Sequence, residues 1–384
     1  MTPPLRPEAY RSEQLTEREI REVLARAWHP VATGDQLAAE GAYVTAEVAG
    51  VPVVVRNFGG RDEGNVVAVR NVCAHRACTM VQDAAGTADR LRCPYHGWEY
   101  GPDGLTRKLP GAKNFPGFDR EAHRLDLFPV DRMGDLWFVR PTAEGPTLRQ
   151  FVGEPFEHFA AHLSAPTWKP TMVNTLDCDA NWKIPIEGSL ESYHVPAVHP
   201  KTFGHDPGEE RSDHVLTDTH TAFFTSFKVD NFMSRLEDWA LRRLGAEPAG
   251  IYEHWHVFPN LMFSLTDSVS LIQAVEPTGP RTSRSLLFQY TRQPANGGLV
   301  ANVTARVLAR IAADASMKIL GEDRPLFHFV QKGLDATPQD HPRRTVFGRC
   351  EERLYAFQQY LQDRLGHGVN ASGHHASRRN DVTA

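Results

Sequence analysis

The sequence predicts an α+β protein in which a small antiparallel β-domain precedes a larger region of mixed strands and helices. Two observations carry this. From "HPVATGDQL" to about residue 142, short runs rich in Val and aromatics ("AYVTAEVAG", "VPVVVRNFGG", "NVVAVRNV", "DLWFVRP") alternate with turn residues, as short antiparallel strands do. Beyond it, strand-like stretches ("IYEHWHVFPNLMFSLTDSVSLIQAVEP", "RSLLFQYTRQ") stand beside long helical ones ("NVTARVLARIAADASMKIL", "CEERLYAFQQYLQDRLG").

The elements follow in order. Thr16-Glu-Arg-Glu19 has the capping-box pattern, and Ile20, Val23, Leu24, Ala27 and Trp28 recur at helical spacing. Residues 1–28 are therefore read as a helix of about 11 residues, with its lead-in, packing on the body. The β-domain spans 29–142, with "GPDG" at 101–104 as a turn. "PTAEGPTLRQ" marks a boundary, and 143–366 forms the second domain. Residues 367–384 lack apolar periodicity and are expected to be disordered.

Bulk properties narrow the function. The chain has 384 residues and 41% hydrophobic content, enough for two cored domains. A net charge of −5 with no dense basic patch argues against a nucleic-acid binder. The longest aliphatic run, "VPVVV", is far short of the roughly 20 residues that span a bilayer. "MTPPLRPEAYRSEQL" has no apolar signal segment, so a cytoplasmic protein is expected. The cysteines Cys73, Cys78, Cys93, Cys178 and Cys350 favour metal binding or free thiols over a disulfide framework. No Gly-rich phosphate loop or dinucleotide fingerprint is present, so bound NAD(P) or ATP is not expected.

The chemistry concentrates in two stretches. The first holds Cys73-x-His75 and Cys93-x-x-His96, with 17 residues between His75 and Cys93. Thiolates and imidazoles suit zinc or an iron–sulfur cluster. Zinc motifs usually keep like ligands together in each pair, whereas here each loop supplies one of each, which suits a two-iron cluster. "C-A-H-R" followed by "C-P-Y-H-G-W" resembles the Rieske domain of bacterial ring-hydroxylating oxygenases. That resemblance implies Cys73 and Cys93 on one iron and His75 and His96 on the other. The two neutral imidazoles raise the potential to between about −150 and +300 mV. Cys78 occupies the place of a loop cysteine in respiratory Rieske proteins, but its partner's position holds Tyr95. The chain thus resembles the oxygenase branch, and Cys78 is expected to be a free, half-buried thiol.

The second stretch, 181–200, reads "NWKIPIEGSLESYHVPAVHP". On a helix Glu191 and His194 share a face, while His199 lies about 140° from His194. Pro196 is expected to disturb the helix between the histidines and let them converge. The stretch resembles the catalytic motif of Rieske non-heme iron oxygenases, which implies that His194 and His199 bind mononuclear Fe(II) with one carboxylate. "GEDRPLFHFVQKGL" at 321–334 resembles that family's third-ligand helix, with Asp323 the ligand and Glu322 its competitor. Glu191 matches the family's bridging carboxylate, implying hydrogen bonds to His194 and to His96 of a neighbouring subunit.

The resemblance implies an all-β Rieske 2Fe–2S domain, then a catalytic domain with a large antiparallel sheet flanked by helices, of the helix-grip or START-like type. It implies a terminal oxygenase that uses O2 and electrons from NAD(P)H. These arrive through a separate flavin/iron–sulfur reductase, with or without a ferredoxin. The resemblance implies a small aromatic or methylammonium substrate, hydroxylated or demethylated, and a homotrimer or dimer of trimers. The rival is a Rieske-type electron carrier, or a zinc-stabilised binding protein, without oxygenase activity. Glu191 with "L-E-x-Y-H" and "V-Q-x-G-L" resembles the quaternary-amine branch. Such a cation would want an aromatic cage, for which Phe203, Trp255, Phe258 and Phe263 are candidates, although aromatics at strand spacing equally fit a core. His254 and His256 alternate with Tyr252 on one strand face, lining a pocket or filling the core. The polar stretch at 205–221 reads as a lid or a solvated loop.

Overall fold

Val-rich alternation builds the first half. Ala42–Val48 and Val51–Asn57 form a hairpin whose loop residues, Ala49 and Gly50, have φ of 46° and 75°. Two left-handed residues are what a tight hairpin loop requires. The hairpin sits in a five-stranded antiparallel sheet with Ala85–Thr87, Val66–Arg70 and Leu127–Phe128. Val44, Val48, Val53, Val55 and Ala68 bury one face of it against Val31, Leu37 and Val139. A small sheet of Leu91–Arg92, Glu99–Tyr100 and Thr106–Lys108 turns at the "GPDG" segment, where Gly101 N–H donates to Leu105 O at 3.0 Å. A third sheet joins His29–Thr33, Leu136–Val139 and Val130–Met133. The computed structural model describes residues 1, 3–59, 65–200, 202, 212–226, 232–338 and 345–366. The expected disorder at 367–384 lies outside these.

The second half is a seven-stranded antiparallel sheet in the order Trp168–Cys178, Thr282–Arg292, Val269–Gly279, Leu261–Leu265, Ile251–Val257, His220–Ser226, Asp213–Leu216. The α+β expectation holds, with a β-domain ahead of a large sheet flanked by helices. Cross-strand pairing aligns Trp255, Phe263, Ile272 and Phe288 on one face, and His256, Met262, Gln273 and Leu287 on the other. The aromatic face packs on the Phe156–Ser164 helix and on Met133, Leu136 and Phe138 of the first half, in one apolar cluster. The opposite face contributes Met262 and Val275 to a cluster with Trp182, Ile186, Phe357 and Leu361, beneath the Lys183–Ser189 and Glu352–Leu365 helices. A buried pair also joins the halves: His29 Nδ1 bonds Glu276, and its Nε2 bonds Leu24 O at 2.8 Å.

One expectation needs correction. The first helix runs over Glu13–Glu22, and its N-cap is Ser12, whose hydroxyl accepts from Leu15 N–H at 3.3 Å. Thr16 therefore lies inside the helix. Glu19 does not reach back to the backbone, because it is drawn into a buried ion pair described below. The "NVTARV" stretch and the "GEDRPL" stretch lie on one helix, Leu299–Ala336, with Pro325 inside it.

Candidate functional site

The two Cys/His loops are built on one plan. Cys73 N–H donates to Cys78 O at 2.9 Å, and Ala77 N–H returns to Cys73 O at 3.0 Å. In the second loop Cys93 N–H donates to Trp98 O at 2.8 Å, and Gly97 N–H returns to Cys93 O at 3.0 Å. The turn residue is left-handed in each, Ala77 at φ 52° and Gly97 at φ 72°. Each loop thus presents a buried cysteine at its base and a histidine nearer its tip. Like residues pair across the loops: His75 Nδ1 and His96 Nδ1 are 3.1 Å apart, while Cys73 and Cys93 share a buried cluster. His96 is exposed.

This set fits a cluster with two thiolates at one end and two imidazoles at the other. Tyr100 reinforces the thiolate end. Its hydroxyl accepts Ala74 N–H at 3.1 Å and lies 3.1 Å from Cys73 Sγ, within reach to donate its own proton to a thiolate there. Trp98 stacks on the His75 ring at 4.8 Å, and its buried indole N–H has no partner among the described residues. Burial pushes the Cys73 thiol up, against the Tyr100 hydrogen bond. Cys78 is a free, half-buried thiol packed beside the cluster cysteines.

The second site is assembled by helix packing. Trp182 and Lys183 open the Lys183–Ser189 helix and anchor it to the N-terminal helix, Trp182 Nε1 donating to Glu19 Oε2 at 2.7 Å. Gly188 lets this helix approach the Leu299–Ala336 helix closely, for a Cβ there would meet Phe327 Cε1 at 2.5 Å. The helix ends at Ser189, so Glu191 and His194 share a turn and not a helix face. Glu191 closes that turn, accepting His194 N–H at 3.0 Å on Oε2 and bonding His194 Nδ1 through Oε1. Pro196 lies in the first turn of the short Val195–Val198 helix, where its missing N–H costs nothing. The break that brings the histidines together thus precedes the proline.

His194, His199 and Asp323 converge as expected, with one donor atom from each within 4.8 Å of the others. Asp323 Oδ1 is 2.9 Å from His199 Nε2 and 3.7 Å from His194 Nε2. Two imidazole nitrogens and one carboxylate suit a divalent iron that keeps open positions. Burial raises the Asp323 carboxyl, while the two imidazoles pull the other way. Burial also acts to lower the His194 imidazole, but its bond to Glu191 and the nearby Asp323 outweigh it and leave it raised. Glu322 lies elsewhere: its Oε2 is 2.8 Å from His199 Nδ1, on the far side of the ring from Asp323. Thr202, which also bonds Glu322, carries no sequence signal.

The cage candidates among the described residues do not gather here. Trp255 and Phe263 lie on the aromatic face of the sheet, where Phe263 stacks on Phe159 at 3.9 Å. Phe258 packs on Tyr360 at 4.7 Å, and Phe203 is outside the described residues. His254 and His256 do lie on the helix-facing side, both buried, with Arg353 Nη2 donating to His254 Nδ1 at 2.8 Å. Burial lowers both imidazoles, His256 to about 3. Of the 205–221 stretch, 213–216 and 220–221 are strand, and 205–211 are outside the described residues. No helix among the described residues is long and apolar enough to cross a membrane.

Known proteins carry the same two parts. Residues 27–122 match the Rieske 2Fe–2S domain, and residues 166–367 match the catalytic domain of the ring-hydroxylating alpha subunit. The glycine betaine monooxygenase oxygenase subunit of Chromohalobacter salexigens is 26% identical over 236 residues, 62% of this chain and 52% of that protein. The chain thus spans about half the length of that relative. The chloroplastic choline monooxygenase of Spinacia oleracea is 25% identical over 363 residues, 93% of this chain and 77% of that protein. A quaternary ammonium Rieske monooxygenase solved with L-carnitine superposes with a TM-score of 0.75 at 19% identity, over 94% of this chain and 95% of that one, which shows a shared fold. With a Rieske domain ahead of a catalytic domain matched over more than half the chain, this protein belongs to the ring-hydroxylating alpha-subunit family of Rieske oxygenases.

Proposed function

We propose that this chain is the terminal oxygenase component of a Rieske non-heme iron system, which oxidises a small organic substrate with O2. The observation that carries the reading is the convergence of His194, His199 and Asp323 in the same chain as the paired Cys/His loops. Cys73, Cys93, His75 and His96 would hold the cluster, in a domain we assign to 29–142. His194, His199 and Asp323 would hold the iron, in a domain we assign to 143–366. When bound, the cluster passes single electrons and the iron activates O2.

The protein's own residues orient and couple these groups. Glu191 fixes the His194 ring so that Nε2 faces Asp323. A carboxylate oxygen has a second lone pair, so Glu191 retains capacity for His96 of a neighbouring subunit, whose exposure suits that contact. This favours a ring of subunits, a homotrimer or a dimer of trimers. Electrons would come from NAD(P)H through a separate flavin/iron–sulfur reductase. Glu191 and the betaine- and choline-oxidising relatives favour a methylammonium substrate over an aromatic one.

Purified protein with a surrogate reductase tests this. About three irons per chain, a Rieske spectrum and O2 uptake stimulated by choline, betaines or carnitine are expected. Zinc, or two irons without substrate-dependent O2 uptake, would refute it in favour of an electron carrier. Uptake with aromatic acids alone would refute the substrate class.

A further inference from the structure

We infer that Glu322 is the positioning carboxylate of His199 and not an alternative iron ligand. The inference deepens the reading above and rests on it. Glu322 and Asp323 are neighbours on one helix, about 100° apart around its axis. The imidazole of His199 is bracketed between them: Asp323 Oδ1 is 2.9 Å from Nε2, and Glu322 Oε2 is 2.8 Å from Nδ1. The His199 side chain is 1% exposed, so its second nitrogen needs a protein partner. A carboxylate at Nδ1 keeps the proton there and leaves the Nε2 lone pair for a metal. Glu322 is itself held, because Thr202 Oγ1 donates to its two oxygens at 2.9 and 3.0 Å. Glu191 does for His194 what Glu322 does for His199, from a different element. Each histidine thus has its own clamp, and only Asp323 is shared.

Cobalt(II) titration of protein stripped of mononuclear iron, with the Rieske cluster retained, tests this. Glu322→Ala is expected to weaken cobalt binding by roughly 10–100-fold. Glu322→Gln should recover most of that loss, since an amide oxygen still accepts from Nδ1–H. Thr202→Val should fall between wild type and Glu322→Ala. An unchanged Rieske spectrum shows that each variant is folded. Wild-type affinity in Glu322→Ala would overturn the inference. So would a Glu322→Gln variant as weak as Glu322→Ala, since charge or ligation would then matter rather than orientation. His199→Ala separates the two readings: if it still binds cobalt, the proposed iron site itself fails. If it does not while Glu322→Ala binds normally, only the role of Glu322 fails.

Discussion

The ammonium of Lys183 sits 2.8 Å from both carboxylate oxygens of Glu19, with 0% and 2% of the two side chains exposed. This pair ties the N-terminal helix to the helix that leads into Glu191 and His194. Breaking one side leaves a buried charge alone, which typically costs about 3–5 kcal/mol. Lys183→Met or Glu19→Gln singly should therefore lower stability by that order. The double variant should lose less than the sum of the two singles, because it leaves no buried charge unpaired, and the Gln oxygen can still accept the Trp182 N–H. Denaturant unfolding of the four proteins measures this, and additive losses would contradict it.

Glu187 predicts a pH dependence. Burial pushes its carboxyl up to about 7, against hydrogen bonds from Tyr10 at 2.5 Å and Gln358 at 2.8 Å and the nearby Lys183 charge, with Glu19 adding to the rise. The folded chain then keeps a proton that the unfolded chain releases near the ordinary 4.5. Stability is unaffected below that value, falls as pH rises toward 7, and levels off above it. The total is about 3 kcal/mol at 1.36 kcal/mol per unit. Glu187→Gln should flatten this fall and be the more stable protein at pH 8. Parallel stability–pH curves for the two proteins would rule the effect out.

Gly188→Ala should disturb the iron site without touching it. The new methyl meets the Phe327 ring and forces the Lys183–Ser189 helix away from the Leu299–Ala336 helix, which carries Asp323. Overpacking of this kind costs about 1–3 kcal/mol. Mononuclear iron content should drop while the Rieske spectrum stays normal. Full iron occupancy at unchanged stability would show that Phe327 simply moves.

Tyr100→Phe should lower the reduction potential of the cluster. A hydrogen bond to a thiolate favours the more negative, reduced state. Such a bond is worth about 1.5 kcal/mol, which for one electron is roughly 60 mV. A spectroelectrochemical titration reads this, and an unmoved midpoint would mean the hydroxyl does not donate to Cys73.

Glu191→Ala should keep the Rieske spectrum and, at saturating Fe(II), the mononuclear iron, yet lose roughly 10–100-fold or more in turnover. Near-normal turnover would remove its proposed coupling role.

How far these features are readable depends on how local they are. Cys73, His75, Cys93 and His96 stand out because unusual residue types crowd into two short loops. His194 and His199 do so for the same reason, although the helix breaks at Leu190 and not at Pro196, since a chain turn held by one carboxylate has no signature of its own. Asp323 can be placed by its resemblance to a known pattern, but only the ring of His199, standing between them, separates it from Glu322. Glu19 looks like a capping residue because its true partner lies 164 positions away.

Trp28, Met133, Leu136 and Phe138 from the first half share one apolar cluster with Ile272, Phe288 and Tyr290 from the second. A seam filled this way is a weld, not a hinge. A swing of the cysteine-bearing half toward the histidine-bearing half would have to tear this cluster open. Heat is expected to melt the two halves together, as a single calorimetric transition. Cut apart at the boundary, each would carry away a bare aromatic wall, and the pieces would aggregate before either could be assayed.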